Sequence, residues 1–253
     1  MKLKNIFLLS FIILMLASCT TKKQLTYMND LANTEEMFNI KIPVYRVQKQ
    51  DILYINIKSI NDEINALFTA QSGESRQMFQ NETSLYINGY VVDDSGRIEM
   101  SLLGPIPVEG LTLNEIKDLI RERSKVYLKE ASIDVKLISF KFTVLGEVKR
   151  PGTYSNYNNQ LTVFEAISMS GDITDYGDRK HVLVVRPTPE KTKTYRIDLS
   201  KKDVISSEAF FLMPNDVVIV EPVRAKAFWI NIPNFSLALS TITTLILLLN
   251  YIK

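Results

Sequence analysis

Hydrophobic and polar residues alternate in short runs through the middle of the chain. Leu53, Ile55 and Ile57 alternate with the polar Asn56 and Lys58, which predicts a strand with one buried face. Similar short runs, bounded by turn residues, predict further strands around residues 89–92, 98–100, 133–138, 142–148, 182–186, 194–199 and 217–220. The body of the protein is therefore predicted to be rich in short strands.

Two helices are predicted among these strands because a capping box occurs twice. Thr112 and Glu115 have the required spacing, and so do Thr162 and Glu165. The first helix is predicted to end near residue 128, and the second near Gly171. Each helix follows strands without forming a repeated βαβ pattern, so the predicted fold class is α+β with two small units.

The C-terminal region has a different pattern, because residues 227–252 include no charge in 26 positions. Pro233 suits the first turn of a helix. A helix over residues 233–252 would be about 30 Å long, which matches the hydrocarbon core of a bilayer. Trp229 and Tyr251 lie near its ends, as interfacial aromatic residues do. We therefore predict a C-terminal transmembrane helix.

On a helical wheel, five polar residues of this segment share an arc of about 120°: Ser236, Ser240, Thr243, Thr244 and Asn250. Three interpretations remain open. The helix can be a simple anchor whose hydroxyls bond to its own backbone, a seam between helices, or the wall of a water-filled passage. The arc is a candidate lumen surface under the third interpretation alone.

The N-terminus has the features of a secretory signal. Lys2 and Lys4 precede an apolar stretch over residues 6–16, which is too short for a membrane span. The run Leu16-Ala17-Ser18-Cys19 resembles the bacterial lipobox, in which the cysteine is acylated and becomes the first mature residue. Cys19 is the only cysteine in the chain, so it has no disulfide partner. We predict that Cys19 carries a membrane lipid.

The charge balance of the chain argues against one class of partner, nucleic acid. The chain has 30 basic and 28 acidic residues, and removal of residues 1–18 takes away two lysines, leaving 28 of each. A neutral body does not favour nucleic acid as a partner. Residues 20–24 contain no aspartate. By resemblance to bacterial sorting rules, this favours the outer membrane, with the body in the periplasm.

The sequence gives no sign of catalysis. His181 is the sole histidine, and neither a Gly-x-Ser-x-Gly elbow nor a phosphate-binding loop is present. Asp93 and Asp94 precede Gly96 in a predicted hairpin turn, which is a better explanation than a metal site. We therefore assign no catalytic residue, no metal and no cofactor, and we do not expect an enzyme.

Four motifs carry a family resemblance: residues 45–47 with 51–53, residues 91–98 with 103–112, residues 144–154, and residues 214–220. The first two resemble the export domain of the polysaccharide export (outer-membrane auxiliary, Wza-like) lipoproteins. The last two resemble their soluble-ligand-binding β-grasp (SLBB) domain. Longer members carry two or more SLBB domains, whereas one is found here.

This resemblance implies the following domains: a signal peptide (1–18), a lipidated linker (19–42), an export domain (43–140), an SLBB domain (141–224) and a C-terminal transmembrane helix (225–253). It implies a homo-oligomeric, octamer-like ring that carries capsular or extracellular polysaccharide across the outer membrane. It also implies an inner-membrane polysaccharide co-polymerase as a partner.

Two other functions remain open from the sequence. One is an envelope scaffold lipoprotein that binds a glycan or a protein and uses the last helix only as an anchor. The weaker one is a polysaccharide-modifying enzyme with a pair of acidic residues.

Overall fold

A computed structural model describes residues 25–31, 35–38, 40–59, 88–128, 131–188 and 190–252. The predicted lipidation site at Cys19 lies outside these ranges. The described residues form two units, each with its own hydrophobic core, followed by a long helix.

In its described residues, the first unit contains one helix and five strands: β1 (Ile52–Ser59), β2 (Tyr90–Val91), β3 (Arg97–Met100), β4 (Gly104–Pro107), α1 (Leu113–Ser124) and β5 (Ala131–Leu137). Strand β1 lies between β2 and β5 in an antiparallel sheet, while β3 and β4 form a separate hairpin. Strand β1 is therefore the central strand of this sheet, and it lies within the predicted export domain.

The core of this unit follows from the alternation in β1. Leu53, Ile55 and Ile57 face inward and are buried, together with Ile116 and Ile120 of α1. The capping box predicted for α1 is confirmed, because Thr112 accepts a hydrogen bond from the Glu115 N–H at 3.2 Å and the Glu115 carboxylate accepts one from the Thr112 N–H at 2.7 Å.

The described part of the second unit has one helix and five strands: β6 (Lys141–Gly146), β7 (Gly152–Ser155), α2 (Val163–Met169), β8 (Gly177–Pro187), β9 (Thr192–Ile197) and β10 (Val217–Pro222). The strand order in the sheet is β7-β6-β10-β8-β9, with β10 parallel to β6 and antiparallel to β8. A 3₁₀ turn covers Lys202–Ser206. Helix α2 begins at the second predicted capping box. The observed class is thus the predicted α+β.

Gly146 is fixed by the close approach of two neighbouring strands. Its φ is +86°, and a Cβ at this position would lie 2.1 Å from the carbonyl oxygen of Val220 in β10. Both the backbone conformation and the space therefore require glycine. This explains why the 144–154 motif has a glycine at position 146.

The last helix, α3 (Arg224–Ile252), is longer than predicted. It begins nine residues before Pro233, so the proline lies inside the helix, and the prediction that Pro233 opens it was wrong. The reason is that the preceding residue is tied to the second unit, since the Val223 N–H donates to the Tyr176 carbonyl at 2.8 Å. Within the residues that the structure describes, we find no helix with both the length and the apolar character needed to cross a membrane. The predicted transmembrane span is therefore unsupported.

Candidate functional site

The chain segment that precedes the first unit packs against the second unit. The Met28 N–H donates to the Leu199 carbonyl at 3.0 Å, and the Asn29 N–H donates to the Ser200 carbonyl at 2.8 Å. The Asp30 carboxylate accepts from the Lys202 N–H at 2.7 Å. We call residues 25–31 the strap. The sequence predicted only a linker here, because backbone hydrogen bonds leave no pattern in the side chains.

Tyr27 is the main side-chain contact of the strap. Its hydroxyl donates to the Asp172 carboxylate, and its ring packs edge-on against Phe164 with the centroids 5.6 Å apart. The Arg179 guanidinium lies 5.1 Å from the ring centroid, within the range of a cation–π contact. Burial, and then the bond to Asp172, raise the pKa of Tyr27. The hydroxyl therefore stays protonated as a donor at neutral pH.

Arg179 is unusual because it is only 6% exposed and its Nε and Nη1 have no hydrogen-bond partner among the described residues. Buried donors without a partner are costly, so the ring of Tyr27 compensates part of that cost. The strap thus covers a charged group of the second unit.

A second contact fixes the start of α3. The Lys226 ammonium forms an ion pair with Glu147, in the turn after β6, and the Thr174 hydroxyl donates to the same carboxylate at 2.8 Å. The bond from Lys226 and that from Thr174 hold the pKa of Glu147 below its usual value. The first turn of α3 is therefore tied to the second unit.

In the second unit, a buried ion pair joins Arg186 of strand β8 to Asp216, the residue before β10. Asp216 is fully buried and accepts from Arg186 Nε at 3.0 Å and from Nη2 at 2.8 Å. The Met213 N–H donates to the same carboxylate at 2.8 Å. Burial raises the pKa of Asp216. The aspartate in the 214–220 motif is thus structural.

A cleft of about 60 Å³ lies between the two units. The first unit contributes Tyr45 and Lys136, and the second contributes the loop over residues 157–160. Asn156 fixes this loop, because its side chain donates to the Asn158 carbonyl at 2.8 Å and accepts from the Asn158 N–H at 3.2 Å. The sequence alone gave no signal for this cleft, since its wall comes from distant segments.

The structure describes most of the polar arc of α3. The Ser240 hydroxyl donates to the Leu237 carbonyl at 2.9 Å, and the Thr244 hydroxyl donates to the Ser240 carbonyl at 2.8 Å. The Thr243 hydroxyl bonds in the same way to Leu239 at 2.8 Å, and Asn250 is exposed. Ser236 lies in the helix, but its side chain is outside the described part. These bonds are those that the simple-anchor interpretation requires, while the seam and the passage stay predictions.

The other residues considered for chemistry have structural roles. Asp93 accepts from the Ser95 N–H at 2.8 Å and the Arg97 N–H at 2.9 Å, which closes the predicted turn. His181 is exposed and pairs with Asp178 at 2.8 Å. In the part of the chain that the structure describes, no group of three or more His, Cys, Asp or Glu residues could hold a metal ion.

Comparison with known proteins adds two kinds of match. Residues 41–138 match the model of the polysaccharide biosynthesis/export protein family, and residues 140–220 match the SLBB domain. The chain is 28% identical over 185 residues to the EPS I polysaccharide export outer membrane protein EpsA of Ralstonia nicotianae, covering 72% of this chain and 48% of that protein. The protein of the same name from Ralstonia solanacearum is 27% identical over 186 residues, covering 72% and 49%. The chain thus spans about half the length of these curated relatives.

Proposed function

We propose that this chain exports a polysaccharide across the outer membrane. It belongs to the polysaccharide biosynthesis/export family and carries an SLBB domain after its export domain. The observation that carries the proposal is the succession of the two matched domains over residues 41–220. The outer-membrane location is supported by the names of the two relatives. The chain acts as a transport component and has no catalytic step of its own.

Attachment to the membrane begins at Cys19 in this proposal. The lipid there would be followed after eight residues by Tyr27, whose side chain is anchored on the second unit. A chain of eight residues reaches at most about 28 Å. The strap therefore keeps the SLBB domain close to the lipid, at the periplasmic face of the outer membrane.

A ring of subunits forms the passage. The apolar side chains of α3 remain uncovered in the single chain, with Leu245 58% exposed and Leu249 65% exposed. Apolar surfaces of this extent mark interaction sites. We propose that the α3 helices of an octamer-like ring pack side by side, with Ser236, Ser240, Thr243, Thr244 and Asn250 facing the passage. An inner-membrane polysaccharide co-polymerase delivers the polysaccharide to the ring.

Two experiments test this function. Deletion of the gene is expected to abolish surface polysaccharide, and a wild-type copy is expected to restore it. A Cys19→Ser copy is expected to be unlipidated and to restore little. Cross-linking in native membranes is expected to give a ladder of high-order species. Unchanged surface polysaccharide in the deletion strain contradicts the function.

One observation favours a second function, that of a scaffold lipoprotein which binds a glycan or a partner protein. The described hydroxyls of the polar arc bond within α3, so the helix needs no water-filled passage to satisfy them. A monomer or dimer in the cross-linking experiment, together with normal export, supports the scaffold instead of the ring.

A further inference from the structure

We propose that the cleft between the export and SLBB domains binds a single sugar unit of the exported polysaccharide. The inference rests on the proposed function for the identity of the ligand, and on the chemistry of the cleft for the site. Pockets between domains, lined by apolar and aromatic groups with a few polar ones, are common ligand sites.

The apolar part of the wall is aromatic and comes from both domains. Tyr45, Phe140, Tyr157 and Phe211 all line the cleft. The Tyr45 hydroxyl is already committed to Asp51 at 2.7 Å, so Tyr45 offers its ring rather than its hydroxyl. Tyr157 is 58% exposed, which leaves its ring available. Aromatic rings pack against the C–H groups of sugar rings, so the aromatic content of this lining suits a sugar ligand.

The polar part of the wall is rich in amides. The side chains of Asn158, Asn159 and Gln160 line the cleft and form no hydrogen bond with the other described residues. Amides both donate and accept, as sugar hydroxyls do. The bonds of Asn156 hold this loop in place before any ligand arrives. The loop is therefore preorganised for recognition.

Size and charge define the ligand further. A volume of 60 Å³ holds about four to six water molecules, which suits one sugar unit inside the cleft. The described lining includes Lys136 and no carboxylate, and the Lys136 ammonium meets Asp134 at 3.3 Å on the exposed surface. A surface pair of this kind is weak and can exchange its partner. The cleft therefore accepts an acidic sugar as well as a neutral one.

The test uses the full chain in detergent and oligosaccharides prepared by partial hydrolysis of the bacterium's own surface polysaccharide. Saturation-transfer NMR is expected to show contact between these oligosaccharides and the protein. Tyr157→Ala is expected to weaken binding by about threefold to tenfold, since an aromatic contact is lost. Tyr176→Ala removes an exposed tyrosine of the same domain outside the cleft, and is expected to bind as the wild type does.

Three results would overturn the inference: no saturation transfer to the wild type, equal binding by Tyr157→Ala, or an equal loss in Tyr176→Ala. The fold of each variant is checked by its amide spectrum, and Gln160→Ala replaces Tyr157→Ala if the latter is misfolded. A failure of sugar binding at the cleft can be distinguished from a failure of the proposed export function. A deletion strain without surface polysaccharide upholds export even where the cleft binds no sugar.

Discussion

The Tyr27 hydroxyl donates a hydrogen bond to the Asp172 carboxylate, 145 residues further along the chain. This bond ties the strap to the SLBB domain, next to a buried Arg179 whose guanidinium contacts the same tyrosine ring. A residue that the sequence placed in a linker is therefore part of a domain surface.

Tyr27→Phe tests whether this bond holds the strap. The ring and its contacts with Phe164 and Arg179 remain, while the hydroxyl is lost. We expect a loss of about 1 kcal/mol in the attachment of the strap. Hydrogen exchange at the Met28 and Asn29 amides, which donate to Leu199 and Ser200, is expected to become faster.

The control for this variant is Tyr176→Phe, which also removes one tyrosine hydroxyl from the surface of the SLBB domain. Its strap amides should exchange at the wild-type rate. Wild-type exchange in Tyr27→Phe as well would show that the backbone bonds alone hold the strap.

Gly146→Ala is expected to be severely destabilising. The new Cβ would lie 2.1 Å from the Val220 carbonyl oxygen, in a backbone with φ of +86°. Strand β6 or β10 must move, so we expect a loss of about 3 kcal/mol or more in the free energy of unfolding. Chemical denaturation measures this loss.

Two glycines serve as controls for that variant. Gly104 also has a positive φ of +67°, but no atom lies within 4 Å of its added Cβ, so Gly104→Ala should cost only about 1 kcal/mol. Gly152 has neither constraint, and Gly152→Ala should be close to neutral. Equal losses in all three variants would disprove the role of the Val220 contact.

Local features of the fold were predictable from the sequence, and long-range ones were not. The Thr112/Glu115 and Thr162/Glu165 capping boxes are local, and both helices begin where they predict. The alternation of Leu53, Ile55 and Ile57 likewise identified the buried face of β1. These signals depend only on neighbours in the chain.

The start of α3 and the candidate sites depend on contacts between distant residues. Lys226, in the first turn of α3, pairs with Glu147, which also accepts a hydrogen bond from Thr174, and nothing near residue 226 in the sequence records this. A proline at 233 was therefore a misleading signal for the helix start. The cleft has the same origin, since Lys136 and Tyr157 meet only through the packing of two domains.

Glu147→Gln is expected to loosen the first turn of α3 through loss of the ion pair with Lys226. Because this contact lowers the pKa of Glu147, its stabilisation is fully present above the unfolded value of about 4.5. It is lost as the pH falls through the lower, folded-state pKa. The protection factor of the Val223 amide, which corrects for the pH dependence of intrinsic amide exchange, is expected to fall at low pH in the wild type. In Glu147→Gln it should already be low at neutral pH.

Glu221→Gln is the matched control, because it breaks the exposed pair between Glu221 and Arg196 at 2.8 Å. Exposed ion pairs contribute little, so exchange at Val223 should stay close to that of the wild type. Slow exchange at neutral pH in Glu147→Gln would mean that the Tyr176 carbonyl alone fixes the start of α3.

Charge placed on the two sides of α3 separates the interpretations of its polar arc. In the ring proposal, Ser240 and Thr244 face a hydrated passage, while Leu245 and Leu249 lie about opposite and pack against other apolar groups. We expect Ser240→Asp and Thr244→Asp to retain surface polysaccharide, since a hydrated wall tolerates a carboxylate. Leu245→Asp and Leu249→Asp should lose it, because a buried charge without a partner is costly. Surface polysaccharide is measured by whole-cell staining, with protein levels checked in isolated membranes. Equal loss on both sides, at wild-type protein levels, would instead favour a buried seam between helices or a simple anchor.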